Sequence, residues 1–444
     1  MKVLHTSDRS AEAIQKLISS SSSDVVFVGD PNVELQVEES SLRRMSRVLE
    51  VWGAGIVYSD AVARPRADYQ FGSIRDDFEF GPLVALSVPL SREAYRSHGL
   101  PETDLRWGAL YDLRLKLSID HPVVRIPEPL YSAKELDSRS AGERHFDYVD
   151  SSNRDYQVEM ERVATGHLRR IGAHLEDVVA KTSIRVDPFP ATASIVIPVR
   201  NREKTLSDAL GSALEQETDF AFNVIVVDNH STDSTGWIIE DIKDARLVHL
   251  IPERTDLGIG GCWNEAIRHP DCGRFALQLD SDDLFSGKDV LARVVREMAR
   301  HRYAMLVGSY TTVDFSLRPT SPGLVDHREW TRQNGPNNAL RVNGFGAPRA
   351  YDVAVARRFG FPNVSYGEDY AMGLRMCREY EIGRMFDSLY HCRRWEGNTD
   401  SAPPIEVLNR YNGYKDWVRT NEIRARVALN RECPETGSEE SPTS

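Results

Sequence analysis

The sequence has no uninterrupted apolar run of about eighteen residues, so it offers no recognisable membrane-spanning helix. Its first residues, MKVLHTSDRSAEAIQKL, lack the apolar core of a secretory signal. Cysteine is scarce: the five, Cys262, Cys272, Cys377, Cys392 and Cys433, are odd in number and show no paired spacing. That pattern excludes a zinc-ribbon framework or a small disulfide scaffold and points to a reducing compartment. Positive charge is in deficit, with 55 Lys and Arg against 67 Asp and Glu and a net charge of −12. Nucleic acid and an anionic membrane surface are therefore not expected as main partners.

What is present suffices for buried cores: 444 residues, 41% of them hydrophobic, enough for two or three domains. DVVFVGD and GAGIVYSD read as early strands. From Asp137 to Pro190 the chain reads as a connector, in which Tyr156, Met160, Val163, Leu168 and Ile171 recur at helical spacing. From Ala193 strands and helices alternate: ASIVIPV, LSDALGSALEQ, FNVIVVDN, STGWIIEDI, RLVHLIP, GGCWNEAIRH, RFALQLD. Alternation of this kind implies a mostly parallel sheet with helices on both faces, and ligands bound beyond the carboxyl ends of the strands. Asp228 and Asp280 lie at two such ends. The stretch after Arg431, ECPETGSEESPTS, reads as a disordered tail.

The acids carry the chemistry. QLDSDDLF puts Asp280, Asp282 and Asp283 within four residues, where they repel unless something positive compensates. The cluster reads either as a solvated turn or as a seat for a hard divalent cation shared with phosphate oxygens. VVDNHSTD sets Asp228 at the head of a polar turn, either a helix cap or an acceptor for a base or ribose hydroxyl. In ERTDLGIGGCWNEAI the glycines are not the dinucleotide fingerprint and suit a close backbone approach before a helix. YGEDYAMGLRMC places Glu368 and Asp369 behind a glycine in a first helical turn, which is an ordinary acidic turn or a poised base.

Taken together, SIVIPVRN, VIVVDNHSTD, LDSDD, YGEDYAMGLR and LYHCRRWEGNTD, in that order between about Ala193 and Asp400, resemble the motifs of a family 2 glycosyltransferase of GT-A fold. Two stretches depart from the usual pattern: Val199-Arg200-Asn201 stands for Thr-Tyr-Asn, and Asp228-Asn229-His230-Ser231 for Asp-Asp-Gly-Ser. The resemblance implies a metal-dependent, inverting transfer of a sugar from a UDP- or GDP-linked donor to a hydroxyl of a carbohydrate or lipid-linked acceptor. It assigns Asp369 as the base and Glu368 beside it. Donor contacts fall to Pro198, Arg200, Asn201, Asp228, Asn229, Asp280, Ser281 and Arg394. Asp282 and His391 would hold Mn2+ or Mg2+, and Trp330, Asn338 and Trp395 would meet the acceptor. A cytoplasmic enzyme making peripheral contact with the inner face of a membrane is the corresponding expectation. A sugar-phosphate nucleotidyltransferase and a non-enzymatic carbohydrate-binding scaffold are the competing functions.

One element occurs twice. WGALYDLRLKLS, Trp107 to Ser118, overlays YGEDYAMGLRMC without a gap, and the overlay runs on to Glu135. Gly108 meets Gly367, Tyr111 meets Tyr370, Arg125 meets Arg384 and Tyr131 meets Tyr390. The scaffold persists and the chemistry does not: Glu368-Asp369 becomes Ala109-Leu110, Asp280-Ser281-Asp282 becomes Asp30-Pro31-Asn32, and His391 becomes Ser132. The expected plan is a degenerate GT-A-like half domain over 1–136 with no room for nucleotide-binding strands ahead of DVVFVGD, and a helical connector over 137–190. A GT-A domain over 191–402, a helical segment over 403–431 and a disordered tail over 432–444 complete it. The charged, aromatic stretch Asp68 to Gly81 reads as a solvated loop or as an acceptor-binding or interdomain surface.

Overall fold

The computed structural model describes residues 3–5, 8–135, 154–176, 180–183, 188–395, 398 and 403–432. The tail over 433–444 and most of the first half of the connector lie outside these residues. The chain divides into two compact units, one built from the described residues of 1–134, 159–176 and 416–444, the other from those of 135–158 and 177–415.

The first unit begins with strand β1 (Val3–His5), helix α1 (Ala11–Ser20), β2 (Val25–Gly29), β3 (Val33–Val37) and α2 (Glu39–Trp52). β4 (Ile56–Ala61), β5 (Leu83–Ser87), α3 (Val88–His98), α4 (Ala109–Asp120) and β6 (Val123–Glu135) follow. Helix α5 (Arg154–Arg170) contains the helical spacing seen in the connector, with Met160, Val163 and Leu168 buried. The sheet order is β1-β2-β5-β4-β6-β3. β1 runs parallel to β2, β5 is antiparallel to both β2 and β4, and β4 is parallel to β6.

The second unit comprises β7 (Ala193–Val199), α6 (Leu206–Leu214), β8 (Phe222–Asp228), α7 (Thr235–Asp241), β9 (Leu247–Leu250), α8 (Ile259–Arg268) and β10 (Phe275–Gln278). Then come β11 (Leu284–Phe285), α9 (Val290–His301), β12 (Met305–Val313), β13 (Pro319–Val325), α10 (Gly335–Asn338), β14 (Arg349–Asp352) and α11 (Val353–Phe359). The last elements are α12 (Glu368–Glu379), β15 (Ile382–Arg393) and the first residues of α13 (Ile405–Glu432), which belongs to the first unit from Asp416 on. The sheet order is β11-β15-β12-β14-β10-β7-β8-β9, with β13 on β12. Ile195, Val196, Ile197 and Val224 to Val227 are fully buried. Near-continuous apolar runs of this kind belong to parallel strands covered on both faces.

The two sheets share a plan. β2, β5, β4, β6 and β3 follow the order of β10, β14, β12, β15 and β11, and every recorded strand direction agrees. Ser87 caps α3 and Asp352 caps α11 from equivalent strand ends. The Tyr111 hydroxyl donates to the Ile74 carbonyl, and the Tyr370 hydroxyl to that of Ala339 at 2.6 Å. The expectation of no room for nucleotide-binding strands ahead of DVVFVGD is qualified by β1, which precedes β2 and takes the place of β7. Among the described residues of this unit, nothing corresponds to β8 and β9.

A second correction concerns Asp68 to Gly81. Ser73 and Arg75 are buried, and both reach Asp416 of α13, at 2.8 and 3.2 Å. A Cβ on Gly72 would lie 2.2 Å from the backbone nitrogen of Thr420, so only glycine permits this approach. The loop is packed inside the first unit around Ser73 and Arg75, while Asp68, Asp77 and Glu79 stay exposed, and its Tyr69, Phe78 and Phe80 join Tyr58 of β4 in T-shaped and stacked contacts.

Candidate active site

The parallel strands β7, β8 and β10 end at Val199, Asp228 and Gln278, and the turns that follow them meet at one end of the sheet. Asp228 accepts the Ser231 amide at 2.9 Å, an Asx turn that folds the chain back after β8. Asn201 and His230 adopt left-handed backbone, with φ of 55° and 58°. Asn201 stitches the turns together: its amide donates to Ser231 Oγ at 2.9 Å and its Oδ1 accepts the Thr232 amide at 2.8 Å. Asn229 is buried, donates Nδ2 to the Leu257 carbonyl at 2.8 Å, and leaves Oδ1 buried without a partner. Pro198 is half-buried near the end of β7, whereas Arg200 is exposed.

After β10 the three acids separate by environment. Asp280 accepts Gln278 Nε2 on both oxygens, at 2.8 and 3.0 Å, and its amide donates to the Tyr390 hydroxyl at 2.9 Å. Burial pushes its carboxyl up, against the pull of Arg349. Asp283 is buried and accepts the Arg393 amide at 2.8 Å; burial and the two neighbouring acids push it well up. Asp282 is half-buried, with Oδ2 accepting Trp395 Nε1 at 3.3 Å and Asn398 Nδ2 at 3.2 Å. Ser281 between them is buried. Arg393, which sequence reasoning left without a structural task, braces this turn. It donates to the Asp282 carbonyl, pairs with Asp208 at 2.7 Å and lies over the Phe315 ring.

His391 sits on β15 opposite Leu284 of β11, two residues beyond Asp282. Burial lowers its pKa, which favours the neutral imidazole, and its Nδ1 is buried without a partner. Among the described residues no three His, Cys, Asp or Glu side chains form a protein-only metal shell. Arg394 is half-buried and donates its amide to the Val313 carbonyl at 2.8 Å.

The paired acids stand at the start of α12, behind Gly367 at φ 85°. α8 approaches this region closely: a Cβ on Gly260 would lie 1.9 Å from the Pro362 carbonyl oxygen, which explains the glycine run before that helix. Glu368 is buried, its Oε2 has no partner, and burial followed by the adjacent Asp369 pushes its carboxyl up to about 8. Burial acts on Asp369 too, but Arg349 and Lys415 outweigh it and hold this carboxyl below its ordinary range. Arg349 meets Asp369 Oδ2 at 2.8 Å. Two adjacent carboxyls are thus driven in opposite directions, which leaves one protonated and the other ionised near neutral pH.

The structure brings Asp280, Glu368 and Asp369 to one cluster through Gln278 and Arg349, and Asp282 to Trp395. Trp330 and Asn338 lie in a packed group instead. Arg384 covers the Trp330 ring at 4.6 Å, and Asn338 Oδ1 accepts Arg341 Nε at 2.7 Å. Arg349 and Lys415 were missed because neither sits in a recognisable motif, and Gln278, although it opens QLDSDDLF, because a neutral amide gives no charge signal. An arginine directly before an apolar strand, in GAPRAYD, was the one available hint.

Part of the chain is similar to known proteins. Residues 194–360 match the family model "Glycosyl transferase family 2". The chain is 26% identical over 241 residues to the UDP-Glc:alpha-D-GlcNAc-diphosphoundecaprenol beta-1,3-glucosyltransferase WfgD of Escherichia coli, covering 53% of this chain and 90% of that one. It is 30% identical over 116 residues to the poly(ribitol-phosphate) beta-N-acetylglucosaminyltransferase TarS of Staphylococcus aureus, spanning 26% of this chain and 20% of that one. The crystal structure of S. aureus TarS 1-349 in complex with UDP-GlcNAc aligns with a TM-score of 0.39 at 23% identity, over 53% of this chain and 72% of that one. Residues 194–360 of the second unit are thus a glycosyltransferase family 2 segment, and the chain is a glycosyltransferase.

Proposed function

We propose that the second unit transfers a sugar, with inversion, from a nucleoside diphosphate sugar to a hydroxyl of a carbohydrate or lipid-linked acceptor, in a divalent-metal-dependent reaction. The observation that carries this reading is the convergence of the strand-end acid Asp280 and the helix-start acid Asp369 on the Gln278–Arg349 pair. A donor diphosphate and an acceptor hydroxyl need such opposed groups within one site. The likeness to a UDP-Glc-dependent glucosyltransferase favours a UDP-linked donor; GDP is the other member of the class to test.

Asp282 and His391 suit Mn2+ or Mg2+. Asp282 keeps an oxygen that accepts no hydrogen bond among the described residues, and His391 presents an unpartnered imidazole nitrogen. Such ions are commonly held by one or two protein ligands, with substrate phosphates completing the shell. When bound, the ion would neutralise charge on the departing diphosphate. The turns that carry Asn201, Asp228 and Asn229 would seat the nucleoside, with Asn229 Oδ1 as an acceptor in want of a donor. Asp369, ionised by Arg349, would take the acceptor proton as that oxygen attacks the anomeric carbon. Glu368, protonated and buried, would donate to the acceptor or hold its orientation. Trp395, beside Asp282, offers an indole face to a sugar ring.

Thermal unfolding of the full chain with UDP-glucose, UDP-GlcNAc and GDP-mannose, each with MnCl2 or EDTA, tests the reading. A ligand bound only by the native state raises the transition temperature. The expected result is stabilisation by a UDP-sugar that EDTA abolishes; no response to any of the three would sink it.

A further inference from the structure

We propose that Arg349 and Gln278 are positioning residues that tether the acceptor-side carboxylate Asp369 to the donor-side carboxylate Asp280 through one pair of strand ends. The inference rests on the glycosyltransferase reading above. β10 and β14 are antiparallel, and their recorded pairing closes with Leu277 opposite Ala350. The next two residues are Gln278 and Arg349. Gln278 Oε1 accepts the Arg349 amide at 3.2 Å, while its Nε2 holds both oxygens of Asp280. The Arg349 guanidinium donates to the Gly346 carbonyl at 2.6 Å and meets Asp369 at 2.8 Å, with 14% of the side chain exposed. A guanidinium anchored at two points in a sheltered place forms a strong, directional bond to a carboxylate. The charged and titratable groups around Asp369 are Arg349 and Tyr351 of β14, Glu368 beside it on α12, and Lys415 of α13.

The early copy supplies an independent observation. In its matching strand pair, Val28 stands opposite Val84, in the places of Gln278 and Arg349. Leu110 stands in the place of Asp369. Gln278, Arg349 and Asp369 are thus all replaced by apolar residues, whereas Asp30 keeps the place of Asp280 and the strand order, the Ser87 cap and the Tyr111 hydroxyl bond persist. Arg349, the residue that touches Asp369, is lost together with it, which building the sheet alone does not require.

The test uses the full chain with Arg349→Val, Arg349→Lys and Gln278→Val. Titration of Asp369 by carbon-13 NMR of protein labelled at the aspartate carboxyls, with the signal assigned by its loss in Asp369→Asn, reads the tether without turnover. The midpoint should move to higher pH in Arg349→Val and return part of the way in Arg349→Lys. Release of UDP from UDP-glucose with MnCl2 should fall by about tenfold or more in Arg349→Val, the scale of a displaced general base. The acid limb of its pH profile should move up, and UDP affinity by calorimetry should be retained. An unmoved Asp369 midpoint in Arg349→Val would overturn the proposal. So would loss of UDP affinity with an unshifted pH profile, since Arg349 would then be a donor ligand. If Arg349→Val does not fold, an Asp369 midpoint in Arg349→Lys and Gln278→Val identical to wild type overturns it equally. Absence of UDP-sugar turnover in the wild type would count against the glycosyltransferase reading, while the carboxyl titration would still decide the tether.

Discussion

Helices α4 and α12 start alike and differ in where their negative charge comes from. Each is twelve residues long and opens behind a glycine, Gly108 or Gly367. At α12 the acids belong to the helix itself, and Glu368 keeps an oxygen with no partner among the described residues. At α4 the helix opens on Ala109 and Leu110, and the charge arrives from another element. Glu159 of α5 accepts the amides of Arg106, Trp107 and Gly108, at 3.0, 2.7 and 2.6 Å. A helix start attracts a carboxylate in either case. A fully bonded carboxylate has no capacity left for chemistry; one with spare acceptor capacity does. The duplicated scaffold therefore yields a structural cap in one unit and a reactive pair in the other.

The comparison breaks most visibly at Asp369. Asp369→Asn keeps the shape and loses the proton acceptor, so sugar transfer should fall on the order of 10²- to 10⁴-fold while UDP affinity is retained; steady-state transfer with parallel calorimetry checks both. Next in size is Asp280→Ala with Asp282→Ala. Metal-dependent UDP-sugar affinity should drop by about tenfold or more, with no second site on the full chain. Residual metal-dependent binding that maps to the first unit would show that the early copy is a working donor site.

Restoring the acids to the early copy, as Ala109→Glu with Leu110→Asp, should create no second activity. Ala109 is fully buried beside the Glu159 carboxylate, so urea unfolding should show a loss of about 2–5 kcal/mol. Leu110 is half-buried and contributes less to that loss. Glu159→Gln should cost about 1–3 kcal/mol by the same measurement, since three amides lose a charged acceptor, and should leave UDP affinity unchanged.

The smallest effect is a slope. Glu368 is raised from 4.5 to about 8, so the folded chain binds more protons than the unfolded one between those values. Its contribution therefore makes stability fall as pH rises through that window, and Glu368→Gln should flatten the decline. Asp369 has the opposite sign: its lowered carboxyl contributes stability that is present above its unfolded value and lost as pH falls. Urea unfolding across the pH range, for wild type and Glu368→Gln, separates the two.

Much of this was legible in the residues. Apolar runs such as ASIVIPV and FNVIVVDN specify buried parallel strands because no other arrangement shelters both of their faces. The overlay of Trp107–Glu135 on Tyr366 onward revealed the repeat because burial preserves apolar periodicity even where chemistry is lost. The Asp280 and Glu368 clusters announced themselves because like charges crowd together only where something compensates them. The compensating groups did not. Arg349 meets Asp369 from twenty residues away, Arg393 reaches Asp208, and Glu159 caps a helix fifty-one residues upstream. Such pairings arise from strand register and helix packing, which bring distant positions together without leaving a local pattern. The loop from Asp68 to Gly81 stayed ambiguous for the same reason: Ser73 and Arg75 are buried where Asp416 and Thr420 close over them, although Asp68, Asp77 and Glu79 remain exposed. The sequence by itself determined which segments are strands and helices and which acids are available. The tertiary structure decided which acid is ionised, which is protonated and which is spent on a cap, because a carboxyl's charge is set by burial and by the partner within hydrogen-bond reach.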